Sequence, residues 1–165
     1  MEVRPLAAND WQLKRDLRLA ALKDSPAAFA STYAREARRT ETDWRTWPAG
    51  GAFFTAFGPL PGLRTRPRCD LPLGIAGAWT AAAEPGTTHL ISMWVIPAAR
   101  GNGIAAALAD AVTAWARTRG HRTVELELAC GNTAALNAYL RCGFTPTTRA
   151  PFTTGGTVLI RPVEH

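Results

Sequence analysis

The 165-residue chain is 47% hydrophobic and 19% charged, a balance that excludes an intrinsically disordered chain and leaves enough residues to bury a core as one domain over 1–165. Its apolar runs fall short of the roughly 20 residues of a membrane span, and the start Met1-Glu2-Val3-Arg4-Pro5 has no signal-peptide pattern, so no membrane contact and a cytoplasmic location are expected. The net charge of +6 is spread over arginines from Arg4 to Arg161, and no basic run with interleaved aromatics points to nucleic acid.

Residues 2–6 read as a first strand, and Asn9 or Asp10 can cap a helix through Leu22 whose apolar face is Leu13, Leu17, Leu19 and Ala20. Asp24, Ser25 and Pro26 end it. Thr40 to Asp43 then prepare a short helix carrying Trp44 and Trp47 before Pro48. Residues 51–57 and 73–79 form a hairpin around a long loop at 58–71 rich in proline, glycine and arginine, with Gly74 and Gly77 arguing against strict pairing.

The stretch 88–105 organises the rest. Residues 89–96 are a strand that Pro97 terminates. From Gly103, Ile104, Ala107, Leu108, Ala111, Val112 and Trp115 recur at helical spacing, with Arg117 and Arg119 in the last turn and Gly120 as the stop. The first amides of a helix have no intrahelical partner and carry the positive end of its dipole. Glycines at 101 and 103 bare that backbone, and Arg100 adds a fixed charge, so the turn is a cradle for phosphate or pyrophosphate.

Residues 122–129 alternate Val124, Leu126 and Leu128 with Glu125 and Glu127, which completes a parallel strand–helix–strand unit with the cradle at the carboxyl end of its first strand. Residues 131–143 form a helix capped by Asn132 and closed by Gly143, and 144–148 with 157–161 form a last hairpin around the loop 149–156. The fold class is mixed α/β. Cys69, Cys130 and Cys142 lack C-x-x-C spacing, and His89, His121 and His165 do not cluster with them, so these thiols are packing or surface groups and no metal is expected.

Two patterns compete for the cradle. Gly101, Gly103 and Ala106 spell the G-x-G-x-x-A of dinucleotide sites, with Glu125 near the place of a ribose-binding acid, but too little chain follows for the further βα units such a domain needs. Arg100, Gly103 and Ala105 spell R-x-x-G-x-A, preceded by Val95 and Pro97 and followed by Leu108. A second string, Leu126-Glu127-Leu128 then Asn132-x-x-Ala135-x-x-x-Tyr139-x-x-x-Gly143-Phe144, stands at matching spacing. Together the two resemble the signature of the Gcn5-related N-acetyltransferases over about a third of the chain; Ala105 stands where glycine is commoner, which the pattern allows.

That resemblance implies a sheet of about six to seven strands, splayed between two parallel central strands, flanked by about four helices and holding acetyl-CoA as co-substrate in the gap. It implies that the turn Arg100, Gly101, Asn102, Gly103, Ile104 and Ala105 holds the pyrophosphate. The pantetheine would lie along the backbone of Trp94, Val95 and Ile96 and reach Asn132, with Ala135 and Tyr139 beside it, and the amide near Val95 would polarise the thioester. Tyr139 takes the place of the residue that protonates the leaving sulfur, and Glu127 that of a general base, with Glu125, His89 or a water chain as rivals.

The implied activity is acetyl transfer to a primary amine on a small molecule of amino acid, polyamine or antibiotic type, with a protein N-terminus or lysine as the alternative and a non-catalytic acyl-CoA-binding regulatory module as the reading of another class. A homodimer stays open. Acceptor contacts should come from residues 29–47 and 149–156, where Glu36, Glu41 and Asp43 favour a cationic amine while Arg35, Arg38 and Arg39 argue the other way. Trp44, Trp47, Trp79 and Trp94 are candidates for core or for the acceptor pocket.

Overall fold

The computed structural model describes residues 1–62, 71–151 and 155–164. Cys69, His165, residues 63–70 of the loop expected at 58–71 and residues 152–154 of the loop expected at 149–156 lie outside the described residues. The strands are β1 (Glu2–Pro5), β2 (Ala52–Gly58), β3 (Leu71–Trp79), β4 (Thr87–Val95), β5 (Thr123–Leu128), β6 (Thr145–Pro146) and β7 (Thr157–Pro162). They make one sheet in the order β1-β2-β3-β4-β5-β7-β6, antiparallel at every junction except the parallel pair β4–β5. The expected mixed α/β sheet is therefore present with seven strands.

Five α-helices flank it among the described residues: α1 (Trp11–Asp24), α2 (Tyr33–Glu36), α3 (Glu41–Thr46), α4 (Ile104–Thr118) and α5 (Thr133–Arg141). The single turn α2 is the one beyond the expected four; Thr32 caps it by accepting from the Arg35 amide at 3.3 Å. In α3 the capping box is complete, Thr40 Oγ1 accepting from the Asp43 amide at 3.2 Å and the Asp43 carboxylate accepting from the Thr40 amide at 2.8 Å.

Two layers pack on the sheet. On one face α4 sets Ile104, Leu108 and Val112 against Phe54, Ala56, Leu73 and Leu90. On the other, α1 sets Leu17 and Ala21 against Phe53, Phe57, Ile75 and Trp94. Successive side chains of β2 and β3 enter different layers, so both strands read as unbroken apolar runs. The face of α1 differs from the expected one: Ala20 is exposed, while Lys14, Arg18, Ala21 and Leu22 are buried with Leu17 and Leu19. Lys14 is held there because Nζ donates to the carbonyls of Trp44 (2.9 Å) and Trp47 (2.6 Å) at the end of α3, where the helix dipole favours a cation. Burial lowers its pKa, and Asp10 opposes that shift.

The β4–β5 register covers Thr87–Thr123, Thr88–Val124 and His89–Glu125, although β4 runs on to Val95 and β5 to Leu128. The strands part after those three pairs, as the resemblance implied. A bulge helps them do so: β3 pairs Gly77 with Ile91 but Ile75 with Trp94, which leaves one extra residue on β4, and Ser92 takes φ 59°. Gly74 lies where α4 crosses the end of β4. A Cβ at that position would stand 2.8 Å from the Trp94 carbonyl oxygen and 3.2 Å from Ile104 and Leu108 side-chain carbons.

Gly74→Ala is therefore expected to destabilise the fold by about 1–3 kcal/mol through overpacking, read as a lower urea midpoint at unchanged slope. An unchanged midpoint would mean that α4 can withdraw, and that the close approach constrains nothing.

Candidate active site

After β4, the turn Pro97–Ala99 leads into Gly101 (φ 79°) and Gly103 (φ 77°), conformations that favour glycine. A Cβ at either position would meet nothing within 4 Å, so the glycines are required by backbone conformation and open space lies above them. Gly103 is the N-cap of α4 and makes no side-chain cap bond; the first helical bond runs from the Ala107 amide to the Gly103 carbonyl at 3.1 Å. The amides of Ile104, Ala105 and Ala106 thus stand at a positive helix end, as an anion requires. Asn102 uses its side chain inward, donating to the carbonyls of Ala99 (3.2 Å) and Arg100 (3.0 Å).

Arg100 donates from Nε to the Val95 carbonyl at 3.0 Å and from Nη2 to Asp24 Oδ2. The same carboxylate oxygen accepts from the Trp94 indole at 2.8 Å, so the last residue of α1 ties the end of β4 to the cradle. Hydrogen bonds from Trp94 first, then from Ser25 and Arg100, hold the Asp24 carboxyl below its ordinary pKa. Sequence reading saw Asp24 only as the end of a helix, because its partners lie 70 and 76 residues away. The Ile96 amide is used inside the sheet, donating to the Leu73 carbonyl at 3.0 Å. Donors alternate between strand edges, which turns the Val95 amide toward the gap.

The gap holds two cavities. One, of about 460 Å³, is lined by Trp94, Val95, Arg100, Gly101, Gly103, Ile104 and Ala105 on the cradle side and by Asn132, Ala135 and Tyr139 from α5. The other, of about 620 Å³, is lined by Glu127, Leu128, Trp47 and residues between Arg18 and Arg39, and again by Asn132, Ala135 and Tyr139. Phe29, the first residue of the segment expected at the acceptor, lines both, and so does Met93, which the sequence does not single out. Asn132 caps α5 by accepting from the Ala135 amide at 3.1 Å, which fixes the helix that carries Tyr139 two turns further on. The Tyr139 ring is half-buried and meets Phe144 edge-on at 5.7 Å. Burial, and after it Cys142, raises the phenol above its usual pKa, so it keeps its proton throughout the neutral range.

The two candidate bases beside Glu127 have other partners. Glu125, 4% exposed, takes the Arg149 guanidinium on Oε2 and has His89 Nδ1 3.9 Å from Oε1. His89, expected as a base or a surface group, is buried, with Nε2 3.2 Å from Glu84 Oε2 and its ring 5.4 Å from that of Trp79. Arg149 bridges Glu84 and Glu125. Glu84, His89 and Glu125 bring ligand atoms within 4.8 Å of one another, a spacing a metal ion can use, but Arg149 occupies one oxygen of each carboxylate. Among the tryptophans, Trp44 is core, Trp47 and Trp94 line the two cavities, and Trp79 is partly exposed. Cys130 is exposed, and Cys142 is half-buried beside the first cavity.

The sheet is split along one parallel junction, with an uncapped helix N-terminus at the split. The chain belongs to the acetyltransferase (GNAT) family, whose model matches residues 19–144. No curated protein matches it by sequence. In fold it is similar to the GNAT domain of S. lividans PAT (TM-score 0.71, 19% identity, 97% of this chain and 89% of that one). A GNAT acetyltransferase from Staphylococcus aureus Mu50 gives TM-score 0.69 at 13% identity over 99% of both chains. A phosphinothricin acetyltransferase from Sinorhizobium meliloti, solved in complex with acetyl-CoA, gives TM-score 0.67 at 19% identity, covering 98% of this chain and 88% of its own. Among the described residues no helix is long and apolar enough to cross a membrane.

The Asp24 tie predicts a pH dependence. A carboxyl with a depressed folded-state pKa adds stability above its ordinary value of 3.8 and loses it as the pH falls through the lower folded value. Asp24→Asn should therefore be less stable than the parent at pH 7, and the two should converge in the acid range. Thermal melts across that range check it; a constant difference down to the acid limit would show that the charge of Asp24 is not what matters.

Proposed function

We propose that the protein moves the acetyl group of acetyl-CoA directly onto a primary amine of a small molecule. The observation that carries this reading is the meeting of two cavities at Tyr139, one opening on the anion cradle and the other on Glu127. Their volumes are those of small-ligand pockets, which favours a small acceptor over a protein chain, and the bicavity layout with Tyr139 and Glu127 both present speaks against a module that only binds acyl-CoA.

In this reading the amides at the start of α4 and the Arg100 guanidinium receive the pyrophosphate, and the open edge of β4 at Val95 receives the pantetheine as an added strand. Acetyl-CoA supplies an activated thioester carbonyl. Glu127 accepts a proton from the amine, directly or through water, so that the nitrogen attacks uncharged. The Val95 amide stabilises charge developing on the carbonyl oxygen. As the new C–N bond forms and the C–S bond breaks, Tyr139 gives its proton to the departing sulfur, and the proton that the acylated nitrogen sheds restores the phenol, directly or through water. Glu127 takes the base role because it lines the second cavity together with Tyr139, whereas Glu125 and His89 line neither cavity.

Saturating acetyl-CoA should raise the thermal midpoint while NAD and NADP leave it unchanged; a shift with a dinucleotide alone would restore the fingerprint reading of the glycine turn. In a thiol-release assay, Tyr139→Phe should lower kcat on the order of 100-fold and leave the KM for acetyl-CoA nearly as it was. Unchanged turnover would remove Tyr139 from the chemistry.

A further inference from the structure

The second cavity has an unusual wall. Arg18 is 4% exposed and donates to Glu36 twice, from Nε at 3.0 Å and from Nη2 at 2.8 Å. Arg18 lines the cavity, and its Nη1 is buried without a hydrogen-bond partner among the described residues. Arg39 lines the same wall; its Nη1 is buried 3.4 Å from Glu36 Oε2, without the alignment of a hydrogen bond. Burial works to raise the Glu36 carboxyl, but the hydrogen bonds and charge of Arg18, with help from Arg39, outweigh it and keep Glu36 ionised. One carboxylate thus faces two guanidiniums, and Arg35 adds a third at the exposed margin. A buried cation with an unused donor is costly unless an anion completes it.

The guanidinium planes are also held in place. Arg18 Cζ lies 4.5 Å from the centre of the Phe29 ring, and Arg39 Cζ lies 4.9 Å from that of Trp47. Stacking on fixed rings presents the planar edges as a prepared receptor for an oxyanion. The carboxylates that could have drawn in a purely cationic acceptor are consumed elsewhere: Glu41 pairs with Arg45 at 2.7 Å, and Asp43 caps α3. Among the described residues the acids lining this cavity are Glu36, bound by Arg18, and Glu127 on β5.

We infer that the acceptor is an amine that also carries a carboxylate or comparable oxyanion, with the anion on Arg18 and Arg39 and the amine directed toward Glu127. The inference rests on the proposed acetyl transfer and narrows it: amino acids and their analogues fit, and polyamines do not. Arg18 and Arg39 are then specificity residues that hold the acceptor away from the reacting atoms.

The test is a matched acceptor panel with acetyl-CoA, read by thiol release: free amino acids, their C-terminal amides, the corresponding decarboxylated amines, and spermidine. Free amino acids should lead by on the order of 100-fold in kcat/KM, because a built polar site rejects an analogue that leaves it unpaired. Arg39→Gln should raise the KM of the amino acid far more than it lowers kcat and bring its advantage over the amide toward one; Arg39→Lys should recover part of it. A retained acetyl-CoA thermal shift in each variant shows that the variants fold. A second readout is independent of turnover: calorimetric titration of the CoA-saturated protein should detect N-acetyl amino acids and not the matching N-acetyl amides. Amides or amines used as well as amino acids would overturn the inference while leaving acetyl transfer intact, and so would an absence of binding by either product class. Loss of the acetyl-CoA shift in the parent protein would instead sink the proposed function, and the same titration without CoA would still read the arginine wall.

Discussion

Two parallel strands that pair for three residues and then separate set the terms for everything around them. Backbone groups on the facing edges of β4 and β5 lose their ladder partners beyond His89 and Glu125, and such groups need a partner, solvent or a ligand. The bulge at Ser92 turns the end of β4 so that Ile96 still bonds to Leu73 while Val95 faces the gap. The helix that follows β4 then starts at the mouth of that gap, with its uncapped amides pointing into it. A cradle and an open strand edge are therefore one construction, produced by a single failure of two strands to stay paired.

Two devices hold the fork in shape. At its mouth, Asp24 joins α1 to Trp94 and Arg100, so the layer beneath the sheet fixes the position of the cradle. At its vertex, Glu84, His89, Glu125 and Arg149 link the turn before β4, the first residues of both strands and the loop after β6. This explains why two glutamates on one strand face have different fates. Glu125 sits where the strands are still paired and is buried in that cluster; Glu127, two residues on, sits where they have parted and lines a cavity. The alternation of β5 puts both on one side, and the fork decides which of them lines a cavity.

Much of this was legible in the sequence, for a physical reason. The cradle, the parallel strand–helix–strand unit and the α5 cap are built from neighbours: Gly101 and Gly103 set backbone dihedrals, Pro97 ends a strand, and Asn132 bonds three residues ahead. Spacing encodes such features directly. What escaped depends on partners distant in the chain. Lys14 and Arg18 stand outside the apolar face expected for α1 and are buried, because α3 and α2 offer carbonyls and a carboxylate 18 to 33 residues away. Gly74 and Gly77 looked like weak points in a strand; at Gly74 the structure shows the Trp94 carbonyl of β4, with α4 side chains behind it, too near for an added Cβ. For His89 the sequence left a base and a surface group both open, because the groups that bury it, Glu84, Glu125 and Trp79, come together only through strand register.

The same distinction separates the two ends of the gap as recognition surfaces. The cradle offers backbone amides and a helix dipole, which suit a phosphate in any chain that can make the turn. On the wall of the second cavity the donors are side chains, Arg18 and Arg39, brought together by α1 and the segment between α2 and α3 and shared around one carboxylate. A guanidinium fixed on one edge by Glu36 and on its face by Phe29 has a defined direction left for its remaining N–H group. That direction comes from packing, so it can vary between chains that keep the same sheet and the same cradle. The geometry of a fold and the selectivity of a site thus reside in different kinds of donor, and in this protein the excess of arginine over carboxylate on the cavity wall is the feature on which the proposed choice of acceptor rests.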